Sequence, residues 1–318
     1  MLEIINTVFN SIFPVFALIL VGYYLFKINF ITLEIQKGLN KLAYWLALPI
    51  FLFYKVANAK LEAKTAGNIF ICMMAGTLTA MILGYLFAVI TKKPRASRGA
   101  AVQTAGRGNL AFVALPVILF TIVQDAGERA EVIINSVILV LTPTIIIYNL
   151  ICVTVLVLHS TKESESLRKD IIVGLTRNPL IIACVLGLVW NFASIPMSEE
   201  GALFRICKIL GQAAFPMALL GVGSQLAQIS LRGNIGGPLQ CAICKTIIAP
   251  LVGYVVSLML GMDKLETLTV MIMLATPTAV AGYVLADQLE CDPDLTASSI
   301  LVSTVMSFFT FSALLVWL

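Results

Sequence analysis

The sequence predicts an all-α polytopic membrane protein of ten transmembrane helices, five followed by five. Three observations predict it. Of its 318 residues, 59% are hydrophobic and only 12% charged, whereas a soluble domain carries roughly 25% charged residues. Apolar runs of the length needed to cross a bilayer, about 20 residues, recur between short charged or Gly/Pro/Asn connections. The longest polar connection, HSTKESESLRKD at 159–170, divides the chain almost in half and leaves no room for a soluble domain.

In order, the runs fall at 5–26, 38–57, 67–90, 99–124, 131–158, 171–192, 203–227, 239–261, 265–288 and 296–318. The opening MLEIINTVFNSIFPVF lacks a basic leader and a small-residue cleavage site, so span 1 is expected to be retained rather than cleaved. Span 2 carries Pro49 in ALPIFLF, and span 3 is continuous. Span 4 is interrupted by GRGNLAFVALP, and span 5 holds Pro143, Tyr148 and Asn149. In the second half, span 6 holds Pro179, and span 7 holds Pro216 and ends in Ser224 and Gln225, expected to cap it. Span 8 contains KTIIAP, span 9 contains ATPTAVAG, and span 10 reaches the last residue. The seven cysteines lie mostly in apolar runs, where thiols pack as small hydrophobes; the Cys241/Cys244 pair is expected to pack likewise.

Orientation follows from lysine and arginine bias. With the N-terminus outside, the inside connections carry Lys27, Lys37, Lys41, Lys92, Lys93, Arg95, Arg98, Lys162, Arg168, Lys169, Arg177 and Arg232. The outside connections carry Lys55, Lys60, Lys64, Arg129, Arg205, Lys208 and Lys264. Both termini are therefore expected outside a cell membrane. Five spans per half make the second half (171–318) enter in the opposite sense to the first (1–158), across a cytoplasmic connection at 159–170: an inverted repeat. Proline order agrees in part, Pro14 answering Pro179, Pro49 answering Pro216 and Pro116 answering Pro277, while Pro143 and Pro250 have no counterparts.

Spans 4 and 9 carry the strongest helix-breaking signals. A proline removes one backbone donor and pushes away the carbonyl four residues earlier, so the freed groups need partners at membrane depth. Where two interrupted helices cross antiparallel near the midplane, freed amides and half-helix N-termini create a positive potential suited to an anion. The plain alternative is that these prolines only kink helices for packing.

The RGN-x-x-F-x-x-x-P run of span 4 (Arg107, Gly108, Asn109, Phe112, Pro116), the P-x-x-x-x-x-Y-x-x-A run of span 9 (Pro277, Tyr283, Ala286) and KTIIAP in span 8 resemble the auxin efflux carrier family. That family includes the plant PIN auxin exporters and bacterial permeases for small carboxylates such as malonate or malate. The resemblance spans the whole chain and implies a fold similar to sodium/proton antiporters and bile-acid transporters. Helices 4 and 9 then cross beside the substrate, with Asn109, Pro116 and Pro277 at the crossover and Asn109 touching the ligand. It also implies an elevator-like division in which spans 3–5 and 8–10 move against spans 1, 2, 6 and 7. The short central connection departs from plant PINs, and auxin does not follow as the substrate.

Charge supplies an independent expectation. Every Asp and Glu falls near a span end or in a connection, whereas Arg107 and Lys245 fall within spans. Proton or sodium coupling commonly uses an intramembrane acid; two cations without one suit a carboxylate. Two readings stand for each cation: Arg107 is a cytoplasmic anchor or a site residue, and Lys245 snorkels to the interface or reaches the site. Tyr148 and Asn149 are further polar candidates. The expected function is a secondary carrier for small organic anions, working in efflux. A sodium- or proton-coupled carrier using Asp287 is the alternative. An intramembrane enzyme ranks lower, because His159, the only histidine, sits at a span end with no HExxH or GxSxG motif. No cofactor, metal or nucleic acid is expected; the partners are the anion and the lipid bilayer, with a homodimer left open.

Overall fold

In the computed structural model of the protein the described residues are 2–60, 62–122, 127–160, 178–195, 197, 198, 200–229, 231 and 235–317, with side chains from residue 10 onward. Every regular element among them is a helix: α1 (Leu2–Lys27), α2 (33–57), α3 (Ala63–Ile90), α4 (Arg95–Gly106), α5 (Leu110–Ile122), α6 (Glu128–His159), α7 (Pro179–Phe192), α8 (Ala202–Leu226), α9 (Gly236–Met259), α10 (Lys264–Leu274), α11 (Ala281–Gln288) and α12 (Pro293–Trp317). Among the described residues six of these, α1, α3, α6, α8, α9 and α12, are long and apolar enough to cross a membrane, and α5 and α7 are shorter apolar helices. The protein is a multi-pass helical membrane protein. The central connection beyond Ser160, with Lys162, Arg168, Lys169 and Arg177, lies outside the described residues, as do Arg232, the start of expected span 6 and the end of expected span 4.

Three π turns shape the helices around the centre. They span Ala43–Ala47 in α2, Leu110–Ala114 in α5 and Cys244–Ile248 in α9, and each is followed two residues later by a proline: Pro49, Pro116 and Pro250. The cause is steric. A proline ring collides with the carbonyl four residues earlier and offers no N–H, so the preceding turn widens by one residue and its remaining N–H groups reach farther back. Pro14 and Pro143 instead lie inside α-helical stretches, Pro179 opens α7, and Pro216 sits in the first turn of Ala214–Leu226. Proline order along the chain therefore does not track local geometry: Pro49 resembles Pro116 and Pro250, not Pro216.

Packing sorts the helices into two groups. In one, α8 packs on α1 and α2, and α2 packs on α7. In the other, α3 packs on α4, α6 and α9, while α9 packs on α10 and α12. The first group depends on close backbone approach between α1 and α8. A Cβ on Gly223 would stand 1.9 Å from the Ile19 carbonyl oxygen, and one on Gly22 would stand 2.3 Å from that of Leu220. Small residues at a helix contact give membrane helices their dispersion contacts, because lipid tails supply no hydrophobic drive between helices. The second group is tied where α3, α6 and α10 begin: Arg129 pairs with Glu62, Asp263 and Glu266 at 2.9, 2.8 and 2.6 Å. Thr65 donates to Glu266 at 2.8 Å, so this buried carboxylate is both paired and hydrogen-bonded. Between the groups, α1 touches α5 and α12, with Phe16 edge-on to Phe308 and Phe311.

Gly223→Val is expected to lower stability by about 1–3 kcal/mol or more, because backbone rather than a flexible side chain occupies the space. Gly38→Ala, which meets nothing within 4 Å, is expected to leave stability unchanged or raise it by up to about 1 kcal/mol. Thermal unfolding in detergent separates the two; equal melting would contradict the α1–α8 contact.

Candidate functional site at the helix crossing

α4 and α5 would form one helix but for Arg107, Gly108 and Asn109. Arg107 (φ −77, ψ 98) and Asn109 (φ −82, ψ 65) leave the helical region. Residues 275–280 interrupt α10 and α11 in the same way. The two breaks meet as a single antiparallel bridge between Gly108 and Thr278. The Asn109 N–H donates to the Pro277 carbonyl and the Ala279 N–H to the Arg107 carbonyl, each at 2.9 Å. Only glycine fits at 108: a Cβ there would stand 2.5 Å from Thr276 Oγ1 and 3.1 Å from Lys245 Nζ.

Side chains satisfy what the bridge leaves over. Thr278 Oγ1 donates to the Thr104 carbonyl at 2.7 Å, and Ser303 Oγ accepts the Thr278 N–H at 3.0 Å. Ser307 Oγ donates to the Ala275 carbonyl at 2.8 Å, and Gln103 Nε2 to that of Gly282 at 2.9 Å. Tyr148 OH donates to the Gly108 carbonyl at 3.4 Å. The Lys245 ammonium, 2% exposed, donates to the Leu274 carbonyl. That carbonyl ends α10, where the helix dipole favours a cation.

A cavity of about 430 Å³ opens beside the bridge. One wall carries Arg107, Gly108, Asn109 and the first turn of α5 (Leu110, Ala111, Phe112), with Tyr148 and Asn149 of α6 and Ala279–Ala281 at the start of α11. The opposite wall comes from the other helix group: Asn40, Lys41, Tyr44 and Trp45 of α2, Asn178 and Leu180 at the start of α7, and Val222 and Gln225 of α8. A second cavity of about 620 Å³ shares Asn40, Gln225, Val280 and Val284 with the first. It extends past Gln36, Lys37 and Asp294, the end at which α2 and α12 begin.

The structure thus brings five of the expected residues, Arg107, Gly108, Asn109, Tyr148 and Asn149, onto one cavity wall. Pro116, Pro277 and Lys245 are not on it: Pro116 is buried in α5, Pro277 lends its carbonyl to the bridge, and Lys245 stands behind the bridge against Gly108. Asp287 is exposed near the end of α11 and lines neither cavity. The amides of Asn109, Thr278 and Ala279 are used by the crossing itself rather than left free. Sequence reasoning missed the α2 contribution. Lys41 was assigned to a connection, yet α2 begins at residue 33, and Asn40/Tyr44 and Lys41/Trp45 are spaced i, i+4 on it. Polar and aromatic pairs at helical spacing before Pro49 were the available signal. Gln225, expected to cap span 7, instead faces both cavities.

Arg107 dominates the electrostatics. It is 8% exposed, and its Nε and Nη1 are buried with no hydrogen-bond partner. No Asp or Glu is found among the described residues lining its cavity. The guanidinium carbon lies 5.9 Å from the centre of the Tyr148 ring. Such a contact contributes about 0.5–2 kcal/mol, whereas desolvating one ion costs several kcal/mol. The ring alone does not offset the charge.

A multi-pass helical protein with a cavity of mixed polar and apolar lining beside two crossed, broken helices has the form of a membrane transporter. The chain belongs to the membrane transport protein family, whose pattern matches residues 7–317; this is the auxin efflux carrier family that the span 4 and span 9 motifs resemble. It is 23% identical over 300 residues to an uncharacterized transporter of Methanothermobacter thermautotrophicus, covering 94% of each chain. It is 22% identical over 305 residues to an uncharacterized transporter of Methanocaldococcus jannaschii, covering 92% of this chain and 93% of that one. A Rhizobium meliloti protein named "Putative malonate transporter" is 24% identical over 319 residues, covering 96% of this chain and 93% of its own. The family and these relatives are transporters, not enzymes.

Thr278→Val keeps the shape but leaves the Thr104 carbonyl without its donor. It is expected to lower stability by about 1–3 kcal/mol, read as an earlier unfolding transition in detergent; a wild-type transition would show that the hydroxyl does not support the crossing.

Proposed function

We propose that the protein is a secondary carrier of small organic anions, mono- or dicarboxylates or auxin-like acids, operating by alternating access around the helix crossing. The observation that carries this reading is Arg107: a buried guanidinium on a cavity wall, without an acid partner among the described lining residues. Arginine holds its proton at any physiological pH and presents a planar fork that matches a carboxylate. Asn109 and Asn149 stand on the same wall to hydrogen-bond the ligand, and Lys41 on the opposite wall adds a second positive charge, suited to a dicarboxylate. The name of the Rhizobium meliloti relative agrees with that chemistry.

In this reading the helices form ten spans as two inverted five-helix repeats, residues 1–158 and 171–318 joined by a cytoplasmic connection. α4 with α5, and α10 with α11, are the broken fourth and ninth spans. Both termini lie outside the cell membrane, so the Lys37 and Asp294 end of the cavities faces the cytoplasm. The group containing α3–α6 and α9–α12 carries the site past α1, α2, α7 and α8, in the manner of an elevator; the packing division between the groups and the position of the cavity between them support this. Lys245 already holds the α10 carbonyl end behind the bridge, so no separate cation is needed there. An inside-negative potential of 100 mV drives each unit of negative charge outward by about 2.3 kcal/mol, which favours efflux.

The test is charge movement in proteoliposomes on adding carboxylates, without a sodium or proton gradient. A saturable current with the sign of anion entry is expected, and a current that appears only with a cation gradient would overturn the uncoupled reading. Arg107→Gln is expected to raise the half-saturating concentration at least about 30-fold, as for a buried charge pair losing one partner. Asn109→Ala is expected to raise it about tenfold or more, by loss of a hydrogen bond to a charged group. Unchanged half-saturation in either variant removes that residue from the site.

A further inference from the structure

We infer that this carrier works chiefly as an anion exchanger, its loaded site crossing readily and its empty site returning slowly, because no acid among the described residues lining the cavity pairs Arg107 when the anion is gone. The inference rests on the anion reading above and adds the return half of the cycle to it. The cavity lies between the two helix groups, with Arg107 on one wall and Asn40, Lys41 and Gln225 on the other. Alternation requires these walls to slide past one another, and midway the site is shut off from both aqueous phases.

With a carboxylate bound, the guanidinium crosses that point paired. Empty, it crosses with Nε and Nη1 unbonded and no acid among the described residues of its cavity. Lys41, which lines the same cavity, is a cation and worsens the balance. Asp294, an acid lining the second cavity, is not part of the one that holds Arg107. A lysine in this position would be able to release its proton and cross neutral; an arginine does not. The Tyr148 ring lies on the same helix group as the guanidinium, and its attraction is weaker than the desolvation it would have to offset. Net transport, and with it the current expected above, is therefore slowed by the empty return without being abolished, whereas one-for-one exchange avoids that step.

The test uses proteoliposomes of the whole chain loaded with radiolabelled malonate, with acetate and benzoate as parallel probes. Efflux is expected to rise roughly tenfold or more when the same anion is present outside, compared with an impermeant anion at equal ionic strength. Equal efflux in the two buffers, with saturable transport present, overturns the exchange inference and leaves the anion reading standing. Absence of saturable flux for all three anions in both buffers overturns both. Asn149→Asp supplies the missing counterion on the same wall. Its expected effect is to reduce the ratio of exchange to net efflux severalfold; an unchanged ratio in a variant that still transports overturns the counterion explanation.

Discussion

The structure depends on one short piece of backbone pairing. Asn109 and Ala279 each donate an amide hydrogen across the crossing, and Gly108 faces Thr278 between them. Two helices interrupted at membrane depth expose groups that lipid cannot satisfy. Set side by side and antiparallel, each interruption supplies what the other lacks. Threonine and serine hydroxyls of α10–α12 and the Lys245 ammonium serve the remaining carbonyls and amides, which is why so many small polar residues are buried in helices that otherwise read as apolar.

The two intramembrane cations divide their roles according to which side of that bridge they occupy. Lys245 is on the packed side, spent on the end of α10, and its charge is met by a helix terminus. Arg107 is on the open side, where a cavity replaces packing and part of the guanidinium has no protein partner. In the hydrocarbon depth of a membrane an unpaired cation is tolerated only where water or a ligand reaches it. A purely structural arginine would have been matched by an acid, as Arg129 is at the far end of the same helix group by Glu62, Asp263 and Glu266.

The π turns connect the proline pattern to this site. Each precedes a proline and rotates the residues before it out of the regular helical phase. Tyr44 and Trp45 reach the cavity from the first, Leu110–Phe112 from the second, and Lys245 reaches the back of the bridge from the third. Pro49, Pro116 and Pro250 are therefore local devices converging on one place.

Sequence alone determined that the chain is helical and membrane-spanning, that the apolar runs at 99–124 and 265–288 are broken, and that Arg107, Gly108 and Asn109 stand where the first break occurs. These are properties of composition, run length and local backbone chemistry, all legible within a few turns. Motif resemblance added the family. Tertiary structure decided which groups meet: that the freed amides pair with each other, that Lys245 lies behind the bridge rather than in the cavity, and that Asn40, Lys41, Tyr44 and Gln225 complete the opposite wall. Helical periodicity tells which residues share a face but not what that face meets; that depends on contacts between residues far apart in the chain.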